Sequence, residues 1–328
     1  MAKARGLEAK LEQLRALRRD THQPEHVPTL RDALRDRSNF LVADAAEIIG
    51  ERMLSELMPE LTAAFDRFME AGEETDKGCR AKIAIVETLN KLDHPDEALL
   101  LRGLTYVQIE GRWGQPGGED TAATLRGVCA FGLVRFDRPD MVLLLAELLA
   151  DKEKIARCAA AQALGETRAP AAIPLLRYKA RVGDRDPEVV GDCLGGLMTA
   201  APKESLSFVA EFLRSPEDEI AQGAALALGE SRRPEAFEVL RNHWPRARRT
   251  ALAEVLLLAI SMSRLPAAMD FLLEVIASKQ RADALSALSA LAIHRHNESL
   301  KERAAKAVEG AGDAKLVERY RKKFSERD

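Results

Sequence analysis

One hydrophobic pattern recurs along most of the chain. Segment 157–170 reads RCAAAQALGETRAP and segment 221–234 reads AQGAALALGESRRP, so ALGE returns 64 residues later with a proline at the same offset. The same apolar phase continues at six more places, which makes about eight copies: 47–50, 87–89, 131–133, 193–198, 258–260 and 290–293. Self-similarity at a period near 32 residues is typical of a repeat protein.

A second apolar segment with helical spacing follows each of these prolines. Examples are 141–149, which reads MVLLLAELL, and 267–276, which reads AAMDFLLEVI. A short polar turn then leads to the next ALGE-like segment, so each unit reads as helix A, turn, helix B. Two short helices cannot bury both faces alone, so we predict that neighbouring units stack into an all-α array.

Segment 151–176, DKEKIARCAAAQALGETRAPAAIPLL, resembles the HEAT repeat, especially the short phycobilisome-lyase type. The resemblance implies a right-handed α-solenoid of about eight HEAT-like helical hairpins, with helix A on the convex side and helix B on the concave side. We expect residues 1–28 to form an N-terminal capping helix and linker. Residues 29–313 would form the solenoid, and residues 314–328 a charged C-terminal helix.

Two insertions interrupt the period. The steps from Ile49 to Leu89 and from Leu89 to Leu133 are 40 and 44 residues, against 31 to 33 elsewhere. One insertion is the acidic stretch 69–77, MEAGEETDK; the other is 111–120, GRWGQPGGED, whose glycines and proline predict a loop. We predict that Arg112 and Trp113 in this loop contact a partner, because exposed Trp and Arg are enriched among interface hot spots. The alternative is that Trp113 folds back as a plug.

A second candidate contact is the basic stretch that follows the helix A beginning near residue 234. Its predicted contact residues are Arg241, Trp244, Arg246, Arg248, Arg249 and, in the next repeat's turn, Arg281. An anionic or acidic partner would dock on this edge. The alternative is an ordinary solvated turn with Trp244 packed beneath it.

Residue types that carry chemistry form no recognisable constellation. The six histidines include no HxxxH or HExxH spacing and no His-Glu dipeptide, and no phosphate-binding loop motif is present. The four cysteines all fall in predicted B helices among Ala, Leu and Gly, so we interpret them as buried, small apolar residues. We therefore expect no catalytic residue, no cofactor and no metal site.

Charge and composition argue against several further classes of protein. The formal charge of −3 lacks the positive field of a non-specific nucleic-acid binder. No run of about 18 apolar residues is present, so we expect no membrane span. The start of the chain has no secretory h-region, which favours the cytoplasm and reduced cysteines.

We therefore predict a non-catalytic intracellular scaffold or adaptor that binds a protein through the solenoid surface and edge loops. The alternatives are a subunit of an enzyme such as a chromophore (bilin) lyase, whose repeat type is similar, or a HEAT-like nucleic-acid-binding protein or DNA glycosylase. Salt-dependent DNA binding would favour nucleic-acid recognition by the basic edge, because neutralised phosphates release counterions.

Overall fold

A computed structural model describes residues 2–20, 26–93, 96–112, 115–247, 251–278 and 280–325. Two series of helices alternate along this part of the chain, which confirms the predicted unit. The B series consists of α3 (Asn39–Glu51), α5 (Arg80–Lys91), α7 (Ala123–Leu133), α9 (Lys154–Thr167), α11 (Pro187–Ala200), α13 (Asp218–Glu230), α15 (Leu252–Met262) and α17 (Arg281–Leu291). Each of the eight ALGE-like copies overlaps the C-terminal part of one B helix.

The A helices precede their B helices in the chain. They are α2 (His26–Leu34), α4 (Met58–Ala71), α6 (Glu97–Leu104), α8 (Met141–Leu148), α10 (Ala172–Val182), α12 (Pro202–Glu211), α14 (Pro234–Ala247), α16 (Pro266–Ala277) and α18 (Glu298–Ala311). Helix α1 (Ala2–Arg19) comes before the series and α19 (Ala314–Ser325) ends it.

The chain forms two compact units, Met1–Ala163 and Leu164–Asp328, whose boundary lies within α9. In the N-terminal unit α3 packs against α5, and α5 against α7. In the C-terminal unit α11, α13, α15 and α17 pack each against the next. The helices α10, α12, α14 and α16 each pack against a B helix, and α18 packs against α16 and α19. Both units are thus two-layered stacks of helical hairpins, as the predicted fold class requires. The divisions after residues 28 and 313 remain predictions.

Local sequence explains why the helices begin where they do. Asp96 accepts hydrogen bonds from the amides of Ala98 and Leu99 at the start of α6, which satisfies two otherwise unpaired donors. Asn297 does the same for the amide of Leu300 in α18. Prolines begin α11, α12 and α16, where a missing amide hydrogen costs nothing.

The first insertion begins within a helix. Met69–Ala71 is the end of α4, and only the residues after it form a turn, which includes a 3-10 segment at Gly72–Glu74. Cys79 also differs from its prediction, because it lies in a second 3-10 turn, one residue before α5, with a φ of 52°. The apolar spacing of Leu61, Ala64, Phe65 and Phe68 carries α4 up to the start of this acidic stretch.

No helix in the described part of the chain combines the length and the apolar character that crossing a bilayer requires.

Candidate functional site

Trp244 does not belong to an exposed contact surface, and this part of the prediction is wrong. Its side chain is only 4% exposed in α14. The buried positions of this helix include Phe237, Leu240, Trp244 and Ala247, which are spaced three or four residues apart along one face. That spacing could have identified the indole as a core residue, which agrees with the alternative that Trp244 packs beneath the turn.

The predicted arginines of the basic edge have different surroundings. Arg241 donates to Glu238 at 3.3 Å, and Arg281 donates to the carboxylate of Asp313, so both charges are locally compensated. Arg246 makes no ion pair or hydrogen bond with any residue that the structure describes. Arg248 and Arg249 lie outside the described residues. The basic edge therefore stays a prediction that rests mainly on Arg246.

The pKa of His243 reflects the positive charge on this edge. Its half-burial lowers its pKa, and the positive charges of Arg214 and Arg246 lower the pKa further. The imidazole is therefore held neutral near pH 7, and the two guanidinium groups supply the positive charge at this place.

The second insertion folds as a β-hairpin and not as an irregular loop. Strand β1 (Ile109–Arg112) pairs antiparallel with β2 (Gln115–Asp120), with Ile109 opposite Asp120 and an irregularity between Glu110 and Arg112. Gly118 has a φ of 71°, and a Cβ there would lie 2.7 Å from the carbonyl oxygen of Glu110. Glycine is thus required inside the strand, and its presence masked the strand pattern in the sequence.

Successive side chains in β1 and in the residues just before it alternate between an exposed and a buried face of the hairpin. Val107 and Ile109 are 57% and 51% exposed, whereas Gln108 between them is buried. Glu110 continues the inward side, where it binds the turn before α5. Two exposed branched aliphatic side chains therefore stand on the outer face of a hairpin whose inner face is polar. Arg112 is the last residue of β1, at the tip of the hairpin. The side chain of Arg112 and the whole of Trp113 lie outside the described residues.

A buried ion pair lies beneath the hairpin. Lys82 in α5 and Asp76 in the preceding turn are both completely buried, and Lys82 Nζ lies 3.1 Å from Asp76 Oδ2. Lys82 Nζ also donates to Gln108 Oε1 at 3.1 Å and lies 5.1 Å from the centroid of the Tyr106 ring. Asp76 accepts from the amides of Ala81 and Lys82, so it also caps the start of α5.

The inward side chains of the hairpin complete this network. Gln108 Nε2 donates to the carbonyl oxygen of Asp76 at 2.8 Å and to Glu110 Oε1 at 2.7 Å. The amide of Gly78 and the hydroxyl of Thr121 also donate to Glu110 Oε1, at 2.6 and 2.7 Å. Burial alone would raise the pKa of Glu110, but these donors outweigh burial and lower it. The carboxylate is therefore ionised and held from several sides.

Arg126 fixes the other end of the hairpin. This buried side chain donates to the carbonyl oxygen of Tyr106 at 2.9 Å, and its Nη1 lies 2.9 Å from Asp120 Oδ2. Its Nη2 donates to Asp151 Oδ1 at 3.0 Å. The guanidinium group thus joins the segment before β1, the end of β2 and the turn before α9. We call the hairpin together with this buried network the hairpin platform: residues 106–112 and 115–121 with Asp76, Lys82, Arg126 and Asp151.

The buried groups position the hairpin and do not offer reactive chemistry. Lys82 has no solvent access, and its charge is satisfied by Asp76 and Gln108. Burial raises the pKa of Cys79 to about 11, which keeps the thiol protonated at neutral pH. Sequence reasoning missed this network, although Lys82 shares a helical face with Ile85, Val86 and Leu89, a spacing that places a charge on an apolar stripe.

Two of the remaining cysteines, Cys129 and Cys193, are also poor nucleophiles because they are buried. Burial raises the pKa of Cys193 to about 12 and that of Cys129 further still. Cys158 is half-buried. Among the described residues, no group of three or more His, Cys, Asp or Glu side chains is arranged to hold a metal ion.

Comparison with protein families gives a match over part of the chain. Residues 119–190 match the family model of HEAT repeats. This match covers the unit 151–176 on which the resemblance was based, so the resemblance to HEAT repeats is confirmed over that region. No curated protein matches the sequence.

Solved structures with similar arrangements share little sequence with this chain. The complex of CpcE and CpcF of phycocyanin lyase from Nostoc sp. PCC7120 is 18% identical, with a TM-score of 0.38, over 89% of this chain and 96% of that chain. An engineered protein is 15% identical with a TM-score of 0.40, over 90% and 86% of the two chains. The Pds5-Scc1 complex is 11% identical with a TM-score of 0.29, over 98% and 71%. Scores below 0.5 carry no argument about function.

Proposed function

We propose that this protein is a non-catalytic adaptor that binds a protein partner, and that the hairpin platform is its contact surface. The observation that supports the proposal is the exposure of Val107 and Ile109 on a hairpin whose inner face is fixed by buried charges. The period of the repeat does not need these residues for stacking. A hairpin held in this way is preorganised, so little conformational entropy would be lost on binding.

These side chains would supply part of the free energy of binding. Burying the exposed half of an aliphatic side chain of this size contributes about 1 kcal/mol, so the pair would contribute about 2 kcal/mol. Trp113 and Arg112 at the tip are proposed as further contacts, and an aromatic hot spot would add about 2 kcal/mol. The partner surface that fits is apolar, because the outward face between these residues consists of aliphatic side chains and glycine. The cytoplasmic location remains a prediction.

The decisive experiment compares two exposed aliphatic positions in the same unit. A photo-crosslinking amino acid is placed at Ile109 or, as the matched control, at Leu143, which is 68% exposed on α8. A protein crosslinked from position 109 and not from position 143 is then purified and titrated against the intact chain. Ile109→Ser should weaken its binding by about fivefold, and Leu143→Ser should leave the affinity unchanged.

Equal affinities for the wild type and Ile109→Ser would overturn the proposal, as would equal losses in the two variants. The melting temperatures of both variants should match that of the wild type, because each side chain points outward. A Trp113→Ala variant provides a second readout. A loss of affinity at constant melting temperature supports a contact at the tip, and a lower melting temperature means that Trp113 is a structural plug.

A further inference from the structure

A groove of about 590 Å³ lies on the exposed face of two B helices in the C-terminal unit. Val255 and Leu258 of α15 line one side, and Leu285 and Ser289 of α17 line the other. Arg319 of α19 also lines the groove. The volume falls within the range of sites that enclose large ligand groups or several side chains.

The helical register explains why the groove exists. Positions 282, 286, 289 and 290 of α17 carry only Ala or Ser, so no large side chain fills the space between the exposed faces. Leu258 and Leu285 line the groove and are only half-buried. The floor is therefore apolar and lies close to the helix backbones.

The charges that line the groove are few and of opposite sign. Glu254 accepts a hydrogen bond from the hydroxyl of Ser286 at 3.3 Å, which holds the carboxylate against the groove wall and leaves its negative charge in place. Arg319 is exposed and makes no ion pair or hydrogen bond with any described residue. At the Arg319 side of the groove, the guanidinium group and the apolar floor together complement a ligand that combines an apolar stripe with a carboxylate.

We propose that this groove binds an amphipathic α-helix of a partner protein. The apolar side chains of that helix would pack against Val255, Leu258 and Leu285, and one of its carboxylates would pair with Arg319. Helices bind apolar grooves through residues spaced three and four apart, and small residues in the wall allow the close approach that such packing requires. An extended peptide would leave its backbone groups unpaired over this floor, which has no free strand edge. The proposal depends on the groove alone and not on the hairpin platform.

The test uses two labelled helical peptides of about 16 residues, a length at which a stabilised helix spans the groove. Both carry Leu at positions i, i+3 and i+7; the acidic probe has Glu beside the leucine stripe, and the basic probe has Lys at the same position. Fluorescence anisotropy should show that the intact protein prefers the acidic probe by about tenfold. Arg319→Glu should reverse this preference.

Lys322→Glu is the matched control, because Lys322 is exposed on the same helix but does not line the groove. It changes the net charge by the same amount and should keep the wild-type preference. Ser289→Arg fills the groove and should weaken the binding of both probes, and that of the basic probe more strongly because a second cation is added. Lys322 is exposed and Ser289 is half-buried in the groove wall, and circular dichroism should show that both variants keep the fold.

Three results would overturn the proposal. One is an absence of binding of both probes at about 1 mM. Another is an equal change of the preference between the two probes in the Arg319→Glu and Lys322→Glu variants. The third is a concentration-dependent dimer that Ser289→Arg dissolves, which would mean that a second copy occupies the groove. An Ile109→Ser variant should bind the acidic probe as the wild type does, so a failure of the hairpin proposal is distinguishable from a failure of this one.

Discussion

A single residue position sets the distance between neighbouring B helices. A Cβ added to Gly165 would lie 2.6 Å from the Cα of Gly196, and one added to Gly229 would lie 2.3 Å from the carbonyl oxygen of Ala259. The next equivalent position is Ser261, whose hydroxyl donates to the carbonyl oxygen of Ala290 at 2.8 Å. The glycine of the ALGE motif is therefore there because the next helix backbone occupies the place of a side chain.

Gly229→Ala should destabilise the protein by about 1–3 kcal/mol, because the new methyl group meets a backbone atom that cannot rotate away. Gly195→Ala is the matched control: it is also inside a B helix, but a Cβ there would meet nothing within 4 Å. It should stabilise the protein by about 0.5–1 kcal/mol through the higher helix propensity of alanine. Urea denaturation of both variants measures the two effects, and changes of the same sign would contradict this packing argument.

Two glutamates in the N-terminal unit should respond oppositely to pH. Burial and the neighbouring Glu47 carboxylate raise the pKa of Glu87, so ionised Glu87 is less favourable in the folded chain than in the unfolded one. This penalty is absent below the unfolded pKa of about 4.3 and is complete above the folded pKa. Glu87→Gln should therefore raise the melting temperature at pH 7 and have no effect near pH 3.

The pKa of Glu51 is shifted in the opposite direction to that of Glu87. Hydrogen bonds from Arg18 lower its pKa, so its stabilising effect is present above the unfolded pKa and is lost as the pH falls through the folded one. Glu51→Gln should lower the melting temperature at pH 7, and the difference from the wild type should vanish in acid. Thermal melts from pH 3 to pH 8 test both variants. Parallel curves for the two would mean that Arg18 and Glu47 do not control these carboxyl groups.

At the level of elements, the hairpin shows what a repeat pattern cannot predict. The eight B helices were predictable, because their apolar positions recur at a nearly constant period. The hairpin has no second copy in the chain, and its strands contain three glycines and a proline. Its order depends on Lys82, Asp76 and Arg126, which lie outside the inserted sequence. A long-range network of buried charges leaves only a weak local signal, namely a lysine on the apolar face of α5.

Lys82→Met should destabilise the N-terminal unit by about 3 kcal/mol or more. The methionine fills a similar volume but leaves the buried carboxylate of Asp76 without its cation. Lys77→Met is the control, because Lys77 is exposed in the same turn and should have little effect. Urea denaturation followed by circular dichroism measures both. A Lys82→Met variant as stable as the wild type would mean that the ion pair does not anchor the hairpin.

At the scale of the whole molecule, stability is built from contacts between neighbouring helices. Each unit has its own apolar core, and the B helices of each unit contact the adjacent B helices of the same unit. In such an array the free energy of unfolding is approximately a sum of repeat and interface terms. The sequence predicted this organisation from the period alone, but it could not predict the boundary within α9, because the ALGE motif continues through that helix unchanged.

The fragment 151–328 should therefore fold without the rest of the chain. It keeps all of α9, so α11 retains the helix that contains Gly165, and of the hairpin and its buried network it contains only Asp151. Circular dichroism should show helix and a cooperative urea transition, while the intact chain should unfold in more than one step. Gly229→Ala offers an internal check, because it lies far from the cut. It should cost the fragment and the intact chain the same free energy within about 0.5 kcal/mol. An unfolded fragment, or a much larger cost of Gly229→Ala in the fragment, would show that the C-terminal unit depends on the residues before 151.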